Sequence, residues 1–356
     1  MTDNKTNRRE FLRGAVAAAA AGAASGPAQP LQAQVAQLVK TYKGSGDQRL
    51  ALSRLKQWES WGYGMFLCFG MSTWVRSILQ DSAALSTYNP SKLDVDQWLR
   101  IAQDAGMKYA VLTAKHVDGL SLWPSKHTSY TTANTPVKTD VVEAFVRACR
   151  KYGIQPVLYY CSWDNHHRFG SLTPSQTRIT EAYTTSFYQD FQTAQITELI
   201  TQYGKLGGVW INIPQVLGRS YRSFLYGHIA RHQPDCVIMM NSGIGDGSEY
   251  RIPDAWPSDL IAMNRYLPPE SGHVRWREIE GKVYYMPGEV VDTLGKEYFF
   301  APGDPPRPDD ELKRLYVETR RRGANLLLAV QPNQDGFIPK DRHDALVRLR
   351  KNAAIT

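Results

Sequence analysis

Short apolar runs alternate along this chain with longer amphipathic stretches, and this alternation predicts the order of its elements. Each run is four to seven residues long, which is typical of a buried β-strand and too short for a core helix. The runs that we assign to eight strands cover residues 64–69, 109–114, 155–161, 208–211, 237–241, 260–263, 283–286 and 325–330. Because they recur along most of the chain, they predict a single large sheet.

Helical patterns lie between several of these runs, and each pattern ends at a glycine. Residues 94–105, 141–152, 180–203 and 309–322 have the apolar spacing of amphipathic helices. Glycine just beyond a helix is a common stop signal. An alternation of strands and helices is typical of a parallel sheet, and 356 residues suffice for a barrel of about 250 residues with insertions. We therefore predict an α/β protein with a (β/α)8 TIM-type barrel.

The N-terminal segment, residues 1–34, differs in composition from the rest of the chain. Arg8 and Arg9 precede an Ala/Gly-rich run and a small-residue sequence near Ala33. This order is typical of a twin-arginine export signal, and the alternative is an unfolded basic tail. We expect a periplasmic or secreted protein, with a lead-in at 35–57 and the barrel at 58–356. The Ala-rich run is too short and too weakly apolar to predict a stable membrane span.

Charge and cysteine content exclude several classes of partner. The formal net charge is +8, but the basic residues are spread along the chain without a Lys/Arg block or zinc-finger spacing, so no nucleic-acid partner is predicted. The four cysteines form no CxxC motif, and we expect buried thiols at Cys68, Cys161 and Cys236. The chain has no Gly-rich phosphate loop, so no cofactor is predicted. These features leave the oligomeric state open.

Polar and aromatic side chains follow many of the predicted strands. In (β/α)8 barrels the chemistry is carried by residues at the carboxyl ends of the strands and in the loops that follow. Carboxyl groups, imidazoles and aromatic rings at this end are typical of sites that bind and hydrolyse sugars. The candidates at these positions include Cys68, His116, Asp118, Trp163, Asp164, Asn212, Glu249 and Glu289.

Several colinear segments form a specific pattern. Residues 64–70 have the sequence GMFLCFG, residues 88–98 contain YNP, LD and QW, and residues 105–119 have the sequence AGMKYAVLTAKHVDG. Residues 323–328, GANLLL, follow near the end. In this order the segments resemble the catalytic domain of the α-L-fucosidase family, glycoside hydrolase family 29. The resemblance runs from about Trp58 to the C-terminus. It implies a catalytic barrel, without the β-sandwich that often follows it in the family, and a carbohydrate partner.

The positions that matter most for catalysis depart from the family pattern. The W-x-D signature that supplies the family's nucleophile is Trp210-Ile211-Asn212 here. An amide cannot form the covalent glycosyl ester that retention requires. Cys68 and Val117 stand where the resemblance places sugar-binding histidines. The resemblance therefore implies a glycoside other than a plain L-fucoside, and a mechanism that does not use residue 212 as nucleophile.

Two glutamates are the candidate catalytic residues. Glu249 resembles the general acid/base of the family's branch that acts on branched fucosyl linkages, and Trp256 resembles part of the aromatic segment beyond it. The alternative is a solvated loop glutamate. Glu289 resembles a second carboxyl of the branch and is the other candidate for acid or base. Together with Asp118 or Asp164 as base, such groups permit an inverting mechanism if two carboxyls lie about 6.5–9.5 Å apart.

The remaining candidates are predicted to bind the substrate, each with a structural alternative. Cys68, His116 and Asn212 are expected to line the sugar pocket, although His116 could instead be held by its loop. Asp118 precedes Gly119 and could cap a turn. The other two, Trp163 and Asp164, close the third strand, where Trp163 could form the floor of the pocket or pack on the barrel rim.

Two adjacent histidines raise the question of a metal site. His166 and His167 point in different directions if they are neighbours in an extended or turn segment, and no third ligand stands at a recognised spacing. We therefore predict no metal. Two functions stay open at this point: a glycoside hydrolase that works through the surviving carboxyl groups, and a non-catalytic carbohydrate-binding protein that has lost the nucleophile.

Overall fold

The computed structural model describes residues 42–75, 83–169, 185–241 and 256–356. The predicted export signal at 1–34 and the first part of the lead-in at 35–57 lie outside these residues. Within the described ranges, no helix combines the length and the apolar composition needed to cross a membrane.

Most strands of the described ranges coincide with the apolar runs of the sequence. The strands are Tyr63–Leu67 (β1), Tyr109–Lys115 (β2), Gln155–Cys161 (β3), Gly208–Asn212 (β4), Val237–Asn241 (β5), Ile261–Asn264 (β6), Trp276–Ile279 (β7), Lys282–Tyr285 (β8), Gly288–Thr293 (β9) and Ala324–Ala329 (β10).

Eight of these strands form one parallel sheet that curls into a barrel. The strand order is β5-β4-β3-β2-β1-β10-β9-β6. Strand β1 pairs with β2 on one side and with β10 on the other, so the first and last strands of the described ranges are neighbours in the sheet. The predicted TIM-type barrel is confirmed.

Helices cover the outside of this sheet. The helices of the described ranges are Leu52–Trp61 (α1), Val95–Asp104 (α2), Val141–Lys151 (α3), Ser186–Gln202 (α4), Arg219–His232 (α5), Asp309–Arg321 (α6) and Lys340–Asn352 (α7). Several begin and end at the predicted signals. Asp94 accepts a hydrogen bond from Gln97 N at 2.9 Å and caps α2, and Asp140 caps α3 in the same way. Glycines with positive φ follow both helices.

The seventh predicted strand, residues 283–286, was wrong. Residues 283–285 belong to β8, which forms an antiparallel hairpin with β7 outside the barrel sheet. The seventh barrel strand is β9, which starts at Gly288, directly after Met286 and Pro287. Both segments are short and largely apolar, so hydrophobic periodicity cannot tell which of them enters the barrel.

The barrel sheet is open between β5 and β6, and hydrogen bonds between Asp259 and Ile238 span the gap. Asp259 Oδ2 accepts a hydrogen bond from Ile238 N at 2.8 Å, and Asp259 N donates to Ile238 O at 2.8 Å. Arg49, from the predicted lead-in, lies with Nη2 2.8 Å from Asp259 Oδ2. Burial raises the pKa of Asp259, while Arg49 and Tyr226 oppose that shift. The Arg49–Asp259 pair therefore joins the chain before the barrel to the open edge of the sheet.

Candidate functional site

A cavity of about 530 Å³ lies at the carboxyl ends of the barrel strands. Its lining includes Cys68 just after β1, His116 just after β2, Asn212 at the end of β4 and Asn241 at the end of β5. The structure therefore brings Cys68, His116 and Asn212 together, as their positions at strand ends predicted. Their role as sugar ligands stays a prediction.

Aromatic rings form much of the cavity wall. Phe66 and Trp210 stack with centroids 5.1 Å apart, and Tyr159 lies 5.6 Å from Trp210. The rings that line the cavity are Phe66, Tyr159, Trp210, Tyr266, Tyr298 and Phe299. An apolar wall with a few polar groups is the usual composition of a small-molecule site, because the apolar area gives affinity and the polar groups fix orientation.

His116 is held from behind by a short hydrogen-bonded chain. Ser72 Oγ donates to Asp118 Oδ2 at 2.9 Å and lies 3.5 Å from His116 Nδ1. If the Ser72 hydroxyl donates to Asp118, its oxygen can accept from His116 Nδ1–H, and this tautomer leaves Nε2 as a hydrogen-bond acceptor. Burial, with a smaller effect of Lys115, lowers the pKa of His116 to about 3. The imidazole at the cavity is therefore neutral at neutral pH.

Asp118 supports the cavity without lining it. Its Oδ1 accepts a hydrogen bond from Leu120 N at 2.9 Å, which is the turn-capping role that the following glycine suggested. Burial raises the pKa of Asp118, and the hydrogen bonds from Leu120 and Ser72 partly offset the rise. Asp118 therefore contacts the cavity through Ser72 and His116.

Asn212 is engaged at both ends of its amide. Its Oδ1 accepts a hydrogen bond from Asn241 Nδ2 at 2.8 Å, and its Nδ2 lies 3.9 Å from Cys161 Sγ. The side chain is largely buried, with 8% of the residue exposed. The Asn212–Asn241 pair joins the ends of β4 and β5, which are aligned in the sheet. The pair therefore places neutral polar atoms where the resemblance implies a nucleophile.

Asp164, predicted to bind the substrate, is not among the cavity-lining residues. It forms a fully buried ion pair with Lys115, Nζ to Oδ2 at 2.9 Å, and accepts a hydrogen bond from His167 N. Burial alone would raise the pKa of Asp164, but Lys115 and His167 together hold it well below its usual range. Gly119, at φ +84°, allows the neighbouring loop to approach this carboxylate. Asp164 therefore forms a buried ion pair outside the described lining of the cavity, and its contact with substrate stays a prediction.

The two adjacent histidines point into different surroundings. His167 contacts Asp164 Oδ2 through Nδ1 at 2.9 Å and Thr128 Oγ1 through Nε2 at 2.9 Å. The ring of His166 stacks on Tyr130, with centroids 3.9 Å apart. The stacking contact of His166 and the two hydrogen-bond contacts of His167 therefore place the imidazoles in different surroundings.

Glu289 was expected at the mouth of the barrel, and this prediction is wrong. It is the second residue of β9, paired in register with Asn325 near the start of β10, so it lies toward the amino ends of the strands. Tyr109, the first residue of β2, donates a hydrogen bond to Glu289 Oε2 at 2.5 Å. Burial raises the pKa of Glu289 to about 8. The error follows from the misplaced seventh strand, whose predicted end fell just before this residue.

The remaining candidates do not belong to the described cavity wall. Trp256 packs edge-on against Tyr284 of the β7–β8 hairpin, with centroids 4.8 Å apart, and its carbonyl accepts a hydrogen bond from Arg222. Trp163 is half-buried beside β3 and is not among the residues that line the cavity. Glu249 lies outside the described residues, so its assignment as general acid stays a prediction.

The cavity also contains residues that the sequence analysis did not single out as ligands. Asn264 and Arg265 stand at the end of β6 and just beyond it, and Tyr298 and Phe299 come from the loop after β9. The strand-end rule that found His116 applies equally to Asn264 and Arg265. The two aromatic residues were missed because the seventh strand was placed too early, which hid the loop that follows it.

The described lining of the cavity contains no aspartate or glutamate. Its polar side chains include Thr113, His116, Asn212, Asn241, Asn264 and Arg265. These groups can donate and accept hydrogen bonds, but none of them is the carboxyl group that glycosidases ordinarily use as acid, base or nucleophile. The fold and this cavity define a (β/α)8-barrel protein with a cavity at the end of the barrel where such proteins usually bind their ligands.

Comparison with known proteins assigns the family. A profile of the alpha-L-fucosidase family matches residues 38–351. The chain therefore belongs to the alpha-L-fucosidase family, as the colinear segments indicated.

Individual relatives support the same assignment. The chain is 29% identical over 305 residues to Alpha-L-fucosidase 1 of Arabidopsis thaliana, covering 81% of this chain and 57% of that protein. It is 38% identical over 267 residues to the tissue alpha-L-fucosidase of Mus musculus, covering 72% and 54%. The structure of alpha-L-fucosidase isoenzyme 1 from Paenibacillus thiaminolyticus superposes with a TM-score of 0.70 at 26% identity, covering 85% of this chain and 75% of that chain. The chain spans about half the length of the curated relatives that it matches.

Proposed function

We propose that this protein is a glycoside hydrolase that binds a saccharide in the strand-end cavity and cleaves it without a nucleophile at residue 212. The observation that carries the proposal is the cavity itself, in which aromatic walls and hydrogen-bonding groups meet at the carboxyl ends of the strands. Membership of the alpha-L-fucosidase family supports the same reaction class.

Glu249 is the proposed general acid. Among the carboxyl groups considered as its partner, Glu289 lies toward the opposite end of the barrel and Asp164 is neutralised by Lys115. This leaves Asp118, which does not line the cavity itself and is proposed to act through the Ser72 hydroxyl and His116. An acid and a base without a covalent intermediate form an inverting pair, so the proposal includes inversion at the anomeric carbon.

A second candidate function is saccharide binding without hydrolysis. The specific observation in its favour is that no aspartate or glutamate occurs in the described lining of the cavity. A fold can outlive its chemistry, and a cavity of this composition retains the means to bind a sugar after the loss of a nucleophile.

Two measurements separate these functions. A panel of aryl glycosides and plant and bacterial oligosaccharides is screened for hydrolysis, with the product anomer read by NMR, and saccharide binding is measured by calorimetry. We expect hydrolysis with inversion, abolished in Glu249→Gln while binding persists. Binding by wild type with no hydrolysis of any panel member would establish the second function instead. Retention with a trapped covalent intermediate would contradict the proposed mechanism.

A further inference from the structure

Arg265 is a fixed cationic group in the wall of the cavity. Its backbone N donates to Val291 O at 2.8 Å, which anchors the residue beside β9. Its guanidinium is held twice: Nη2 donates to Lys296 O at 2.5 Å, and Cζ lies 4.9 Å from the centre of the Tyr298 ring. Because these two contacts already restrict the side chain, Arg265 loses less conformational entropy on binding a ligand than a freely rotating arginine would.

This guanidinium has no ion-pair partner among the residues that the structure describes. Asp292, on the adjacent strand β9, is instead paired with Arg307, with Nη2 3.3 Å from Oδ1. The cavity lining contributes no carboxylate in the described ranges, and its other polar groups include amides, hydroxyls and the neutral imidazole of His116. The described part of the cavity therefore presents one positive charge that nothing within it balances.

We propose that the saccharide bound in this cavity carries a negative charge, either a carboxylate as in a uronic acid or a sulfate ester, and that Arg265 binds that group. This inference rests on the proposed function, namely that the cavity takes a saccharide. A guanidinium matches either oxyanion because its parallel N–H groups form two charge-assisted hydrogen bonds at once. Arg265 is solvent-exposed, so the strength of this pair depends on salt concentration.

The same arrangement selects against neutral sugars. A neutral sugar that fills the cavity displaces water from the guanidinium and replaces it with a weaker hydroxyl contact. Sites built to bind a polar group discriminate strongly against an analogue that lacks it, because the protein group is left without its match. The expected selectivity is therefore at least about tenfold, the smaller end of the range for one hydrogen bond to a charged group.

The test compares matched pairs of ligands by isothermal titration calorimetry on the full-length protein. The probes are the methyl glycosides of D-glucuronic acid and D-galacturonic acid, each beside its neutral hexoside, and galactose 6-sulfate beside galactose. We expect the charged member of at least one pair to bind about tenfold more tightly, with the preference falling as salt is raised. The uronic acid and sulfate arms distinguish the two sources of charge.

Variants assign the preference to Arg265. Arg265→Met is expected to lower the selectivity to below about twofold, since it removes the charge, and Arg265→Lys to retain part of it, since it keeps the charge without the planar fork. Arg314→Met removes an exposed charge from the outer helix α6 and serves as the control for net charge. Thermal melting confirms that each variant is folded before its affinity is interpreted.

The outcomes separate this inference from the proposed function. Neutral members that bind as tightly as charged ones, or an unchanged preference in both Arg265 variants, would overturn the inference and leave saccharide binding intact. A protein that binds neither member of any pair would overturn the proposed function, and this inference with it.

Discussion

Residue 212 shows how a single substitution is accommodated by its neighbours. The amide of Asn212 bridges Asn241 and the sulfur of Cys161, and burial raises the pKa of Cys161 to about 11, so the sulfur carries its proton at neutral pH. The described contacts of this amide are thus all with neutral groups. A neutral residue fits the site without the desolvation cost that a buried carboxylate carries.

We expect Asn212→Asp to lower the free energy of unfolding by about 1–3 kcal/mol at pH 8 and by less at pH 4. Burial raises the pKa of a carboxyl group at this position, so the cost of the substitution grows as pH rises and the group ionises. Urea denaturation at both pH values measures the effect. Asn212→Ser, which is uncharged, should lose stability to a similar extent at both.

Hydrolysis of an aryl fucoside is a second test of the role of Asn212. We expect no detectable hydrolysis of 4-nitrophenyl α-L-fucoside by the wild type, because Asn212, Cys68 and Val117 all depart from the family pattern. If Asn212→Asp hydrolyses this substrate with retention, a carboxylate at residue 212 still acts as the nucleophile, and the proposed inverting mechanism is wrong.

Glu289 is a buried, titratable carboxyl group near the amino ends of the barrel strands. It is fully buried, accepts a hydrogen bond from Tyr109, and has a pKa raised by burial to about 8 from the ordinary value of 4.5. The folded protein therefore favours the protonated form, whereas the unfolded chain ionises once the pH exceeds about 4.5. The stability that this group contributes is fully present below about pH 4.5 and is lost as pH rises toward about 8.

We expect the stability of the wild type, relative to Glu289→Gln, to fall by about 1.4 kcal/mol per pH unit between about pH 5 and pH 8. Glutamine keeps an oxygen for the Tyr109 hydroxyl but cannot ionise, so the variant lacks this source of pH dependence. Chemical denaturation of both proteins across the range supplies the comparison. Parallel pH profiles would show that Glu289 does not titrate as its burial indicates.

At the scale of elements, the sequence predicts structure well where local signals agree. Residues 141–152 combine an apolar face with a glycine stop, and the observed helix α3 spans Val141–Lys151. Asp140, which supplies the N-cap, precedes this stretch directly. The prediction of the seventh strand failed because two apolar segments lie within a few residues of each other. Which segment enters the barrel depends on tertiary pairing: β8 pairs with β7, and β9 pairs with both β6 and β10. No local pattern contains that information.

The opening between β5 and β6 makes a prediction about the chain that precedes the barrel. Arg49→Met removes the partner of a carboxylate that is almost fully buried, so we expect a loss of about 3 kcal/mol in the free energy of unfolding. Arg54→Met is the matched control, because Arg54 donates to the carbonyls of Asp235 and Gly207 and pairs with no carboxylate among the described contacts. Urea denaturation compares the two.

A double variant isolates the ion pair itself. Adding Asp259→Asn to Arg49→Met removes the uncompensated charge, so part of the lost stability should return. If the double variant is as unstable as the sum of the two single variants, the pair does not couple and Arg49 acts only through its contacts with backbone carbonyls.

At the scale of the whole molecule, the position of the site was predictable and much of its composition was not. The rule that barrel chemistry lies at the carboxyl ends of strands placed Cys68, His116 and Asn212 correctly in one cavity. It could not show that Asp164 forms an ion pair with Lys115, because that pair joins side chains far apart in sequence. Nor could it show that Arg265 lacks a carboxylate partner in the described part of the chain, since pairing depends on which acidic residues the fold brings near.

The whole chain also carries an expectation about export. The four cysteines are buried and unpaired in the structure. A folded barrel suits the twin-arginine route that Arg8 and Arg9 predict, because the segment 1–34 has a basic start and a weakly apolar middle.

Replacing Arg8 and Arg9 together by lysine should therefore abolish export and leave folded protein in the cytoplasm. The change keeps the positive charge of the segment and removes only the paired guanidinium groups, so a route that reads charge alone is unaffected by it. Fractionation of cells, with folding checked by resistance to protease, measures the distribution. Arg13→Lys is the control, because Arg13 lies outside the pair and its replacement should not change delivery. Unchanged export of the Arg8→Lys/Arg9→Lys variant would mean that the segment is not a twin-arginine signal, whatever the fate of the barrel that follows it.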